Sequence, residues 1–360
     1  MQIKRGLKMK EYLASLILNS QDQYITYEEF MNAVLYHPSL GYYMKDKPKI
    51  GREGDFITTT NVLDIFGSAV CKWFSSKIHE EGPLLPNVCE IGGGNGRFAK
   101  AFIDEWNRHC DLPLQYTIIE TSPYHRRLQR DLLSDIRGVQ ILESLDHISE
   151  HEGMFFSNEL FDALPVRVIE KNGHQLLEVV IGLEAGELVE RKVVLENQRI
   201  IDFIKESGIK LVNHQRFEIP LAMDDLLREL ANKLKKGYML TIDYGYTNLE
   251  WQEEAHRNGS LRGYYQHKMV TNPLLYPGDM DLTTHIHFDR LIDKGKEWGL
   301  HFISFLRQDQ FLLEAGILQE LEDNFDPNPF SERSKRNRAI RSLVMPSGMS
   351  GFFHALVQKK

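Results

Sequence analysis

The chain has 360 residues, with 43 basic against 51 acidic side chains and a formal charge of −8 at pH 7. At about 150 residues per domain this length means two units or one elaborated domain, enough to bury a core without disulfide or metal staples. The acidic balance argues against a dedicated nucleic-acid binder, which needs a basic surface to neutralise phosphate. Cys71, Cys89 and Cys110 are odd in number and form no C-x-x-C pair, so they offer neither a disulfide framework nor a zinc site and fit a reducing compartment. No apolar run approaches the roughly 18 to 20 residues of a membrane span.

The first 20 residues place basic side chains before a short apolar stretch interrupted by Glu11, which reads as an amphipathic helix rather than a signal peptide. Thr26 and Glu29 stand in capping-box spacing ahead of Phe30, Val34 and Leu35, so a helix starts there and stops at His37-Pro38. Gly41, Pro48, Gly51 and Gly54 mark a long loop, and a second helix over 62–79 carries Phe66, Val70, Trp73 and Phe74 on its apolar side.

From Pro86 onward short apolar strands alternate with helices: strands at 87–91, 116–119, 139–142 and 154–156, with helices after the first two. Such alternation implies a parallel sheet with helices on both faces. Residues 166–194 differ, being strand-like and punctuated by Asn172-Gly173 and Ala185-Gly186, two hairpin signals. Pro220 opens a helix whose end is set by Lys233, Lys235 and Lys236 before Gly237. A strand at 238–242, a helix at 287–298, a strand at 301–305 and a last strand at 352–357 complete the pattern.

Glu90-Ile91-Gly92-Gly93-Gly94-Asn95-Gly96 lies at a strand–helix junction, in the spacing E-x-G-x-G-x-G. Glycines there let the backbone turn sharply and approach a ligand closely. Glu90 is placed to bond amides or the cationic amine of an amino-acid moiety. Glu120 ends the next strand, where an acid suits a bidentate hydrogen bond to two ribose hydroxyls. Arg97 occupies the position where a dinucleotide fingerprint wants glycine or alanine. Strand, loop, helix and acid together resemble the S-adenosylmethionine site of class I methyltransferases.

Asn158-Glu159-Leu160-Phe161-Asp162-Ala163-Leu164-Pro165 follows the fourth strand, at the sheet edge where the reactive part of a ligand sits. Asn158 and Glu159 are expected to face the methyl donor, with Asp162 one turn along. A plain reading makes Asn158 a helix cap and Asp162 a solvated acid. The acids also suit a guanidinium, which paired, charge-assisted hydrogen bonds would hold.

The whole chain resembles the MidA-like family of methyltransferases, related to a mitochondrial complex I assembly factor that methylates a protein arginine. The carriers are Gly41-Tyr42-Tyr43, Gly54-Asp55-Phe56-Ile57-Thr58, Phe66-Gly67, the glycine loop, Glu120-Thr121-Ser122-Pro123, Asn158 to Pro165, Asp243-Tyr244-Gly245, Asp281-Leu282-Thr283, His285 and Phe288. Met345-Pro346 and Met349 to Phe353 also fit. The resemblance implies a Rossmann-like class I fold, with an N-terminal helical extension and cofactor-covering loop over 1–85 and a core over 86–360. That core carries an antiparallel β insertion at about 166–219 and a further inserted segment at about 246–285. The resemblance also lays Asp55 and Thr58 against the cofactor. Gly93 and Asn95 depart from a usual proline and arginine, Thr60-Asn61 from a Pro-Glu pair, and His287 from a frequent aspartate.

The expected activity is S-adenosyl-L-methionine-dependent methyl transfer to an arginine nitrogen of a protein partner. Glu159 and Asp162 are the catalytic candidates. Asp55, Thr58, Glu90, Gly92, Gly94, Gly96, Glu120 and Asn158 are the candidates for holding the cofactor, and no metal ligand set stands out. RNA or a small molecule as substrate, and a non-catalytic chaperone retaining the cofactor, stay open. The basic run Arg333, Lys335, Arg336, Arg338 and Arg341 reads as a solvated helix face. A homodimer through the inserted hairpins and a bacterial cytoplasmic location complete the expectations.

Overall fold

A computed structural model describes residues 2–47, 60–80, 84–321, 328–345 and 351–360, leaving aside the side chains of 2–7, 60, 61 and 63. The chain forms two compact units. The first comprises residues 1–56, 161–227 and 245–294, and the second comprises 57–160, 228–244 and 295–360.

The second unit is built on one sheet. Its strands are β1 (Asn87–Ile91), β2 (Gln115–Ile119), β3 (Val139–Leu142), β4 (His151–Asn158), β5 (Leu234–Tyr246), β6 (His301–Arg307) and β7 (Phe353–Lys359). They lie in the order β3-β2-β1-β4-β5-β7-β6. The pairs from β3 to β5 are parallel, and β7 runs antiparallel to both β5 and β6. The chain moves outward from β1 to β2 and β3, then returns to the other side of β1 as β4. That reversal opens a crevice at the carboxyl ends of β1 and β4, where α/β sheets bind ligands.

Alternation along the strands explains the core. Val88, Tyr116, Met154, Phe156, Tyr238 and Leu240 share one sheet face and pack with Val70 and Phe74 of the helix Thr60–Glu80 and with Phe102 and Trp106 of the helix Arg97–His109. The Phe98 and Phe156 rings stack at 4.3 Å, fixing the first turn of that second helix over β4. Glu90 lies on this same face and is buried.

The first unit holds the helices Gln2–Asn19 and Tyr27–Tyr36 and a five-stranded antiparallel sheet. The predicted capping box is present: Thr26 Oγ1 accepts from Glu29 N–H, and Glu29 accepts from Thr26 N–H at 2.8 Å. Met9, Leu13 and Ile17 bury one face of the N-terminal helix in a cluster with Phe30, Val34, Val168, Val179 and Ile181. Both expected hairpins form. Ala185 and Gly186 have φ of +49° and +85° as a two-residue turn between Glu184 and Glu187. The other turn centres on Gly173-His174, because Asn172 still pairs with Gln175.

The lysine-rich helix end departs from expectation. The helix Leu221–Lys233 stops at Lys233, while Lys235 and Lys236 belong to β5, which starts at Leu234 rather than 238. Pairing of Leu234 with His151 and of Lys236 with Glu152 on β4 takes over the backbone there. Lys233 turns away from the helix end, its Nζ donating to Ile148 O in the loop before β4 at 2.6 Å.

Among the described residues, no helix is long and apolar enough to cross a membrane.

Candidate functional site

β1 delivers the glycine loop to the crevice. Gly92, Gly94 and Gly96 have φ of +75°, +52° and +79°, conformations that side-chain-bearing residues adopt only at a cost. Gly96 is also the residue from which the helix Arg97–His109 starts. A Cβ on Gly92 would stand 3.1 Å from Leu160 and one on Gly96 3.0 Å from Gln129, whereas one on Gly94 would meet nothing within 4 Å. The loop is packed at both ends and open at its centre.

Glu120, at the end of β2, is buried and already oriented. Its Oε2 accepts Gly94 N–H at 2.9 Å and its Oε1 accepts Ser122 N–H at 2.8 Å. His125 Nδ1 stands 3.7 Å from Oε2. Glu90 has a different setting. Tyr116 donates its hydroxyl to Glu90 Oε2 at 2.9 Å, and burial, reinforced by the charge of Glu120 against the opposing Tyr116 bond, pushes the Glu90 carboxyl up to about 8. The structure therefore gives this acid an internal partner on the neighbouring strand.

Asn158 ends β4, and its amide donates to Glu159 Oε1 at 3.2 Å. Glu159 takes a left-handed φ of +49°, held by its N–H donating to Ile242 O of β5 at 3.0 Å. A non-glycine residue there is strained, and such strain clusters at functional positions. Its side chain is solvent-accessible. Even so, the surrounding protein strips enough hydration to raise its carboxyl above the usual range, against the opposing Asn158 bond.

The expected helix after Asn158 does not form. Residues 161–164 make a turn closed by Leu164 N–H on Phe161 O at 3.2 Å, so Asn158 caps no helix and Asp162 is not one helical turn along. Asp162 belongs to the first unit and is buried there, its main-chain oxygen accepting Thr284 N–H at 2.9 Å. Asp55 and Thr58 lie outside the described residues. The structure thus brings Glu90, Gly92, Gly94, Gly96 and Glu120 together at the ends of β1 and β2, with Asn158 and Glu159 at the end of neighbouring β4. Sequence reasoning missed Gln129, whose amide donates to Gly94 O at 2.7 Å; its place on an ordinary helix carries no local signal.

A sheet of this order and polarity, with a glycine loop at its switch point and an acid closing the next strand, defines a class I methyltransferase. The family model of S-adenosyl-L-methionine-dependent methyltransferases named Methyltransf_28 matches residues 69–306, and the chain belongs to that family. A Burkholderia thailandensis crystal structure, of a COG1565 superfamily member bound to S-adenosyl-homocysteine, superposes with a TM-score of 0.88. It is 26% identical, over 99% of this chain and 93% of that one. Among curated proteins the chain is similar to the human mitochondrial protein arginine methyltransferase NDUFAF7, 24% identical over 92% of this chain and 79% of that one. The Drosophila melanogaster homolog is 25% identical over 72% of this chain, a match that spans 64% of the fly protein.

The residues present fit S-adenosyl-L-methionine. Gly94 leaves open the space a Cβ would fill, and Glu120 presents two carboxylate oxygens, each with a lone pair beyond the amide it already accepts.

Proposed function

We propose that the chain methylates an arginine nitrogen of a protein partner, with Glu159 as the residue that receives the guanidinium. One observation carries this reading: an accessible carboxylate, held in a strained backbone at the end of β4, beside the glycine loop on β1. The names of the relatives point to the same substrate class.

Bound S-adenosyl-L-methionine supplies an electrophilic methyl on a positively charged sulfur. The protein has to align a nucleophile with it and keep water away. Arginine is cationic at physiological pH, so its nitrogen needs a carboxylate to orient it and to accept the proton it sheds as the new bond forms. Glu159 has the charge, and Asn158 fixes one of its oxygens. The raised carboxyl favours proton acceptance over a fully solvated glutamate. Glu120 and the glycine loop hold the donor; Glu90 supports the loop from within the sheet.

The test incubates lysate from cells lacking the gene with purified protein and methyl-labelled S-adenosyl-L-methionine, then hydrolyses the labelled material. A protein band yielding methylarginine is the expected result. Label in RNA or a small molecule would overturn the substrate, and no label despite cofactor binding would favour a chaperone.

A further inference from the structure

Gln129 sits on the helix Pro123–Leu133, fully buried beneath the glycine loop. Its Nε2 donates to Gly94 O at 2.7 Å and lies 3.4 Å from the point where a Cβ on Gly93 would stand, while its Cγ lies 3.0 Å from the same point on Gly96. Among the described residues its Oε1 has no hydrogen-bond partner. A buried amide half-satisfied in this way is a cost that a leucine of similar volume would avoid. What the amide achieves is visible in Gly94. Both main-chain polar groups of that glycine are committed to side chains of the second strand–helix pair: its N–H to Glu120 Oε2 and its C=O to Gln129 Nε2.

We propose that Gln129 is a positioning residue for the methyl donor: by holding the Gly94 carbonyl it keeps the Gly94 N–H on Glu120 and thereby presets the Glu120 carboxylate to receive two hydroxyls of a ribose. The chain of cause is short. Ser122 N–H fixes Oε1 and Gly94 N–H fixes Oε2, so the carboxylate plane is set before any ligand arrives. Gly94 has no side chain to restrain it and nothing within 4 Å of its Cβ position. Without Gln129 that residue is free to rotate, and Glu120 loses one of its two amides. Adjacent packing does not replace the bond, because the contacts to Gly93 and Gly96 restrain other residues.

The test uses Gln129→Met, which keeps length and removes the donor, with S-adenosyl-homocysteine titrated by calorimetry. Binding is expected to weaken about tenfold, the effect of one lost hydrogen bond. In a Glu120→Ala background the same substitution is expected to change binding less than twofold, since the residue it acts through is gone. Equal losses in both backgrounds would make Gln129 a packing residue and overturn the proposal. Hydrogen exchange on the wild-type protein gives a readout independent of any variant. The Gly94 amide is expected to be protected without ligand, and exchange at the rate of an open loop amide would overturn the proposal as well.

Discussion

The Tyr116 hydroxyl donates to Glu90 Oε2 at 2.9 Å beneath the glycine loop, so the acid of the motif is tied to the strand beside it. Burial holds its carboxyl at about 8 against 4.5 in an unfolded chain. The folded protein therefore keeps a proton that the unfolded chain releases. Stability from this group is complete below pH 4.5 and is lost as pH rises through 8. Glu90→Gln cannot ionise, so its stability relative to wild type should climb between pH 5 and 8, by up to about 1.4 kcal/mol per pH unit. Denaturant midpoints of the two proteins across that range check this; parallel curves would show that Glu90 does not titrate there.

Glu159 separates function from stability. Its φ of +49° costs about 1 to 3 kcal/mol for a residue with a side chain, and glycine escapes that cost. Glu159→Gly should be more stable than Glu159→Ala by about 1 kcal/mol, while both lose turnover. Glu159→Gln should retain affinity for S-adenosyl-homocysteine and lose turnover with the partner. Turnover equal to wild type would remove Glu159 from the reaction.

Gly93 is a steric matter. A Cβ there would stand 2.5 Å from Ile118 Cγ2, closer than real contacts permit. Gly93→Ala should cost about 1 to 3 kcal/mol, the range of overpacking. Ile118→Ala makes room, so the double variant should lose clearly less than the sum of the two single losses. Thermal or denaturant unfolding of the four proteins decides it, and strict additivity would mean the loop moves aside freely.

His287 makes a prediction for the first unit. It is buried, stacked on Trp251 at 4.6 Å, and burial holds its imidazole at about 3. The unfolded chain takes up a proton near pH 6.5 that the folded one refuses. Stability from this group is present above that value and falls as the pH drops toward 3. His287→Phe should therefore gain on wild type progressively between pH 6.5 and 4.5, read from unfolding midpoints; a constant difference would count against it.

The parts legible in the sequence are those specified within a few residues. The Thr26–Glu29 capping box, the Ala185-Gly186 turn and the strand–glycine loop–helix run each draw on short-range chemistry, and they form as read. What failed depends on distant pairing. The strand of Tyr24–Thr26 exists because it pairs with residues 180–182, and β5 begins four residues early because β4 offers it partners. The helix expected after Asn158 gives way to a left-handed turn fixed by Ile242, more than eighty residues along the chain. Gln129 was invisible for the same reason: its partner is 35 residues away.

The position of β7 has a consequence for synthesis. Phe353–Lys359 stands between β5 and β6, and among the described residues β6 has no other strand beside it. Until Phe353–Lys359 has been made, His301–Arg307 lacks the strand it pairs with, so β6 joins the sheet only together with β7. A chain held back before residue 353 would leave β5 without its partner from Tyr238 to Tyr244, an edge open to other chains. The interval between emergence of β6 and of β7 thus leaves a strand edge exposed to pairing with other chains.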